Sequence, residues 1–422
     1  MKGVQWFSEN QPGLASYLSS QDELGNTALQ PGPLLHLDQI TQRVQRLKYT
    51  LSDVGFFYTF QQALGYVASP NSTLPDSRSF GSYAFELYAK QLVFSVPSSG
   101  TAGTAGTAGT AGTAGTAGWI SLEVNGGGIL GTSLHQVNPA VHLGSLVNPL
   151  GLLSPVEGLY LGELAWQQSF ADGKAVFIAG MLDQTNYLDA NAYANSPFSQ
   201  FLDSAFVNSM VLPLTIGGLG MNLQWQPDDE YYFMFGVGQN NPMPGRSPLH
   251  NLGADNVSYL FEAGYVPQNV RGLGPGAYRL QPFVATVGGV SQVGLGLNLN
   301  QQLGSHWGFF GRFGTGGTTV TNLQGASAQI ATGLILQQPL HLAGILAESS
   351  SNFLGLGFVW SQPSQAQRPA AHFNEYGLEL VYTFQLTATT MLRPDLQALW
   401  NLVNNANVDT AVIFQLSLVT TW

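Results

Sequence analysis

Residues 377–386 read GLELVYTFQL. Leu378, Leu380, Tyr382, Phe384 and Leu386 are apolar and alternate with Glu379, Val381, Thr383 and Gln385. A period of two is the signature of a strand, whose successive side chains point to opposite faces of the pleat. The fold turns on which solvent each face meets.

Composition narrows that choice. Charged residues make up 9% of the 422-residue chain, where an ordinary soluble protein carries about a quarter. Glycine is abundant, at 51 residues, and aromatic residues reach 11%, a mixture suited to β-structure and to membrane interfaces. A net charge of −11 with only 13 basic residues argues against a nucleic-acid partner. The one basic group, Arg43, Arg46 and Lys48, is read as the wet face of a short helix. The absence of cysteine excludes a disulfide framework and thiolate metal sites. The first residues, MKGVQWFSENQPG, lack the apolar run of a secretory signal, so either the chain is cytosolic or its numbering starts at a mature N-terminus. No run of 18 or more apolar residues offers a transmembrane helix; a membrane-spanning form must be a closed barrel, because lipid cannot satisfy an open sheet edge.

Residues 1–36 read as an irregular leader. Between 37 and 51, Ile40, Val44, Leu47 and Leu51 recur at helical spacing and predict one amphipathic helix. The rest of the chain breaks into about sixteen alternating segments bounded by Gly, Pro, Asn or Asp. These are 56–67, 82–94, 119–126, 162–170, 174–183, 218–226, 230–238, 257–266, 277–287, 292–302, 307–315, 328–338, 353–361, 374–388, 391–400 and 409–422. The links after the fourth, sixth, tenth and fourteenth are tight, whereas 127–161, 184–217 and 239–256 are long. Short turns on one end and long loops on the other are the asymmetry of an outer-membrane barrel, although the links 95–118 and 339–352 are long on the short-turn end. The organisation expected is a leader and helix over 1–54 and a barrel over 55–422.

Placing Leu378, Leu380, Tyr382, Phe384 and Leu386 on lipid puts Glu379, Thr383 and Gln385 in a wet lumen. The same rule turns Val293, Leu295, Leu297 and Leu299 outward, with Gly294, Gly296, Asn298 and Asn300 inward. It also points Arg312 inward; the opposite register sets that arginine on lipid at roughly 2–4 kcal/mol near mid-depth. A soluble sandwich, propeller or solenoid is the competing architecture, and it calls for Lys and Glu along outer strands and charged edges, which this chain lacks. The final residues Phe414, Leu416, Leu418 and Trp422 alternate to the terminus, similar to the assembly signal of bacterial outer-membrane proteins, which usually ends in Phe.

Residues 180–208, GMLDQTNYLDANAYANSPFSQFLDSAFVN, followed by the GLG of 218–220, resemble the long-loop motif of the carbohydrate-selective porins, the OprB-like family. Residues 375–397, EYGLELVYTFQLTATTMLRPDLQ, resemble its closing strands, and 47–66 its opening; the likeness covers about 37–422. Met181 stands where the family commonly has a basic residue. The resemblance implies an all-β, transmembrane antiparallel β-barrel of about sixteen strands, with a short N-terminal helix and a constriction loop, 184–217, folded inward. That loop carries Asp189, Asn191, Asn195, Phe201 and Phe206. The implied function is passive diffusion of sugars and other small polar solutes across a bacterial outer membrane. The implied partners are outer-membrane lipid and lipopolysaccharide, the solutes, and the barrel assembly machinery through the C-terminal strand; a homotrimer is left open.

By alternation the lumen is expected to hold Glu86, Lys90, Glu123, Glu163, Glu262, Arg279, Arg312, Glu379, Arg393 and Asp395, with Asp183 at the start of the loop. Carboxylates and arginines can hydrogen-bond sugar hydroxyls and bias ion passage; the same residues can equally hydrate the wall or pair across it. The acidic excess predicts a slight cation preference. No cofactor or metal is expected, since the seven histidines lack ligand spacing. Catalytic signals are poor: His142 with Ser145 is a chance-level dyad, and GRFGTGG at 311–317 is read as a strand end and not a phosphate cradle. A barrel with a plugged pore and a structural role in the envelope is the alternative reading. Six copies of TAG at 101–118 are read as a flexible insert between strands 2 and 3.

Overall fold

The computed structural model describes residues 38–70, 79–97, 114–130, 140, 143–152, 158–240, 245–250, 252–316, 325–345, 352–364 and 371–422. The leader, most of the TAG repeat and His142 lie outside them. A helix, α1 (Asp38–Ser52), precedes the strands. These are β1 (Phe56–Ala68), β2 (Ser79–Pro97), β3 (Ala114–Leu130), β4 (Gly158–Phe170), β5 (Ala175–Asp183), β6 (Ile216–Trp225), β7 (Tyr231–Gln239) and β8 (Val257–Tyr265). They continue with β9 (Gly276–Val287), β10 (Val290–Leu303), β11 (Trp307–Thr315), β12 (Ala326–Gln337), β13 (Phe353–Pro363), β14 (Glu375–Tyr382, resuming as Phe384–Gln385), β15 (Thr390–Trp400) and β16 (Thr410–Thr421).

Each strand pairs antiparallel with its neighbours, and β16 closes on β1, with Gln61 opposite Thr421 and Ala68 opposite Phe414. The result is a closed sixteen-stranded barrel with no free edge, the form that satisfies every backbone group in a medium without water. β14 is one strand interrupted at Thr383, whose backbone N–H still donates to the Phe353 carbonyl of β13, and both parts pair with β15.

The outer face is greasy, as the alternation requires: Val293 is 72% exposed and Leu378, Leu380 and Leu396 are also exposed. Aromatic side chains gather near the strand ends. Tyr231 stacks on Tyr265 at 4.9 Å and Trp225 on Phe233 at 5.7 Å, at the end that carries both termini. Tyr376 stacks on Trp400 at 5.7 Å toward the opposite end. Two such rings with an apolar band between them are how a barrel meets the two interfaces of a bilayer.

Three expectations need correction. The inward residues Glu379, Thr383 and Gln385 are buried, not wet: the loop backbone at Leu202 and Asp203 covers Glu379, while Thr383 and Gln385 bond to Phe353, Asn352 and the turn at Thr387. β2 and β3 run further than the alternation shows, so the last five residues of the TAG repeat, 114–118, belong to β3 and not to an insert: Ala117 faces Ser95 and Gly118 faces Phe94. Threonine, alanine and glycine supply the pairing backbone there, and a Cβ on Gly118 would strike the rings of Phe94 and Trp166 at 2.4 and 2.6 Å. Finally, Lys48 is not on a wet face; its ammonium lies 5.3 Å from the centre of the Tyr58 ring, while Leu47 is exposed.

Candidate constriction inside the barrel

The segment linking β5 to β6, 184–215, enters the lumen and is fixed along its length. Its base is closed by reciprocal bonds: the Gln184 N–H donates to the Thr215 carbonyl at 2.7 Å, and the Thr215 N–H to Gln184 Oε1 at 3.0 Å. Asp183 Oδ1 accepts the Thr185 N–H and caps the first turn.

Asp189 is the centre of the arrangement. Its backbone is left-handed, φ 63°, which an aspartate tolerates better than most residues. Its carboxylate accepts from Arg312 Nε at 3.0 Å, from the Ser209 N–H at 2.7 Å and from Asn298 Nδ2 at 2.6 Å. Arg312 further donates to the carbonyls of Asp189, Ala194 and Phe206. Both members of this ion pair have side chains with no exposure. The Asp189 N–H donates to Glu262 Oε2, and Glu262 in turn accepts from Tyr232 and Gln281 while Arg279 donates to the Tyr232 hydroxyl. Asn191 bonds Asn298 and the Leu299 carbonyl, and the Asn195 side chain accepts from the Asn191 N–H.

The second half of the loop is held in the same way. Arg393 donates to the carbonyls of Pro197 and Gln200. Glu379 accepts the N–H groups of Leu202 and Asp203 at 2.6 and 2.9 Å. Phe201 and Phe206 pack with Phe310 of β11, centroids 5.1 to 6.1 Å apart. Gly355 and Gly357 make room for them, since an added Cβ would meet those rings at 2.8 to 3.0 Å. Asp203 caps the short helix α2 (Ser204–Val207) through the Ala205 N–H.

A second loop, between β3 and β4, docks on the first. Gly151 N–H donates to the Leu202 carbonyl at 2.7 Å and Ser204 N–H to the Asn148 carbonyl at 2.9 Å. Glu375 accepts from Ser145 Oγ and from the N–H groups of Leu146, Val147 and Val403. Ser145 is therefore bound as a donor in a loop anchor, a poor setting for a nucleophile. Asp395 is buried beside Gln397, which donates to it at 2.8 Å.

What the loops leave uncovered is a strip of wall on β1 to β3. Inward-facing Thr59, Gln61, Glu86, Tyr88 and Asn125 are only half-buried. Beside them Glu123 accepts from Asn186 at 2.6 Å, and Glu163 accepts from Tyr187 at 2.6 Å and Ser121 at 2.7 Å. Lys90 lies 4.6 Å from the centre of the Trp119 ring. The side chains predicted from sequence therefore fall into two groups. Glu262, Arg312, Glu379 and Arg393 bond the constriction loop, with Arg279 behind Glu262 on Tyr232 and Asp395 beside Gln397; along the other arc stand Glu86 and Lys90, with Glu123, Glu163 and Asp183 bonded to Asn186, Tyr187 and Thr185 at the start of the loop. Sequence reasoning missed Glu375 and the neutral residues of the open strip, although Tyr88 shares a face with Glu86 and Lys90, and Gln61 pairs across from Glu86.

Burial pushes the Asp203 carboxyl up to about 8 from its ordinary 3.8, offset in part by the Ala205 N–H, with Glu375 and Asp395 adding to the rise. A raised carboxyl favours the docked loop when protonated, so docking is strongest below 3.8 and weakens as pH rises through about 8. Current fluctuations should accordingly increase on alkalinisation across that window, and Asp203→Asn should weaken the dependence. Equal pH response in the two proteins would refute it.

A closed antiparallel ring, apolar outside and polar within, with a loop folded into its lumen, is the architecture of a porin. The high-pH structure of Pseudomonas putida OprB is similar, with a TM-score of 0.66 over 89% of this chain and 96% of that one at 15% identity. The low-pH form gives 0.54 over 89% and 95% at 14% identity, and a triple mutant of Rhodopseudomonas blastica porin gives 0.51 over 87% and 100% at 7%. No curated protein matches the sequence. The model of the carbohydrate-selective porin, OprB family, matches residues 113–304 and 289–422. The chain belongs to that family.

Proposed function

We propose that this protein is an outer-membrane channel through which sugars and other small polar solutes pass by passive diffusion, along the uncovered strip between the β1 to β3 wall and the two inner loops. The observation that carries the reading is the pairing of tightly docked loops on one arc with half-buried polar side chains on the other. Gln61, Tyr88 and Asn125 offer amide and hydroxyl groups to sugar hydroxyls, and half-buried Glu86 adds an acceptor, with Glu123, Glu163 and Asp183 buried behind it. The remaining partners follow from the same reading: outer-membrane lipid and lipopolysaccharide around the barrel and the assembly machinery at β16, with the oligomeric state left open. Liposomes containing the protein should swell in monosaccharide solutions faster than empty ones.

A barrel with a sealed lumen is the second reading, and the apolar packing of Leu143, Leu146, Val147, Phe201 and Phe206 inside the ring favours it. Swelling no faster than protein-free liposomes would decide for it.

Charge placement gives the pathway a sign. Arg279 is engaged with Tyr232, and Arg312 and Arg393 with loop groups, whereas half-buried Glu86 stands on the open strip with Glu123, Glu163 and Asp183 buried beside it. A reversal potential favouring K+ over Cl− in asymmetric KCl is expected; an anion-selective value would contradict this.

A further inference from the structure

We propose that α1 is an interfacial anchor, lying against the outside of the barrel and binding anionic phospholipid headgroups of the leaflet nearest the termini through Arg43 and Arg46. The proposal rests on the outer-membrane reading for the presence of a bilayer, and on nothing about transport.

The first argument is position. Ala63 and Val67 are buried on the inner side of β1, which turns Tyr58 outward. Lys48 sits over that outward ring. Gln91, paired with Phe56 on the same outer face, donates from Nε2 to the Val54 carbonyl at 3.1 Å where the helix hands over to β1. The C-terminal end of α1 is thus fastened to the lipid-facing side of the wall. It lies level with the terminal aromatic residue, since Phe60 N–H donates to the Trp422 carbonyl.

The second argument is exposed apolar surface. Leu47, Tyr49 and Val54 are all at least half exposed, and so are Val93 and Val96 on the overhang of β2 beside them. A helix whose environment was bulk water would turn such residues toward its support. Here they continue the barrel's apolar band into the interface.

The third argument is charge. The chain has 13 basic residues and a net charge of −11, yet Arg43, Arg46 and Lys48 occur within six residues. Arg43 and Arg46 are exposed. A basic polar face joined to an apolar one, at the edge of a membrane band, fits an anionic headgroup layer.

The absence of cysteine makes the test direct. Thr50→Cys, on the exposed side next to Arg46 and Leu47, accepts a single fluorophore in the full-length protein. The labelled protein is reconstituted in vesicles of phosphatidylcholine, alone or with phosphatidylglycerol, carrying a nitroxide lipid that quenches near the headgroups. Quenching is expected in both, roughly twofold stronger with phosphatidylglycerol. Arg43→Glu with Arg46→Glu should erase that increment and leave liposome swelling unchanged. No quenching, or an increment insensitive to the charge reversal, would overturn the proposal, as would energy transfer between labelled copies that grows with protein density. Failure of swelling in every protein, with quenching intact, would strike only the transport reading.

Discussion

Arg312→Ala is expected to raise single-channel conductance by roughly twofold or more and to make the current noisy. The guanidinium satisfies the Asp189 carboxylate and three loop carbonyls at once, with no exposure on either partner. Removing it leaves a carboxylate buried without its countercharge, and breaking such a pair typically costs about 3–5 kcal/mol. That is enough to loosen the first half of the loop, while Arg393, Glu379 and the aromatic cluster still hold the second half. Arg312→Met with Asp189→Asn should be quieter than Arg312→Ala alone, because the stranded charge is gone. Unchanged conductance in Arg312→Ala would show that the loop does not depend on this pair, and planar-bilayer recording distinguishes the outcomes.

Gly264→Ala should be the most damaging single methyl in the wall. The new Cβ would fall 1.9 Å from Tyr232 Cε1 and 2.2 Å from Cζ, so the buried ring must leave its seat. With it go the hydroxyl's bonds to Glu262 and from Arg279, which support the residue that holds the Asp189 N–H. Overpacking of this kind costs about 1–3 kcal/mol before the network is counted, and a lower midpoint for heat-induced gel-mobility change is the expected result. The cycle with Tyr232→Ala is the control. If the ring is the obstacle, Gly264→Ala adds nothing to Tyr232→Ala; an additive loss points elsewhere.

The barrel was legible because lipid acts on every strand alike. GLELVYTFQL could be read residue by residue, since Glu379 on one face and Leu380 on the other meet solvents that differ by several kcal/mol. The inward loop 184–217 was expected from the family resemblance, not from alternation. What alternation cannot say is what covers the inner face. Arg312, Arg393 and Glu379 were assigned inward correctly as strand residues, but whether an inward charge meets water or a loop backbone depends on contacts more than a hundred residues away. Arg312 finds its partner 123 residues upstream and Glu379 finds Leu202 at a separation of 177. Lys48 failed for a related reason: helical spacing marks an apolar stripe, whereas a long alkyl stem with a cationic tip can lie down on an aromatic ring.

The entry of Ala114–Gly118 into β3 has an effect on how this chain tolerates change. Successive TAG units are identical, so gaining or losing one unit upstream presents the same five residues to Phe94, Ser95 and Val96 as before. Drift in copy number therefore never reaches the hydrogen-bond ladder: the wall has a length-neutral splice at the one place where its sequence is most prone to expand or shrink.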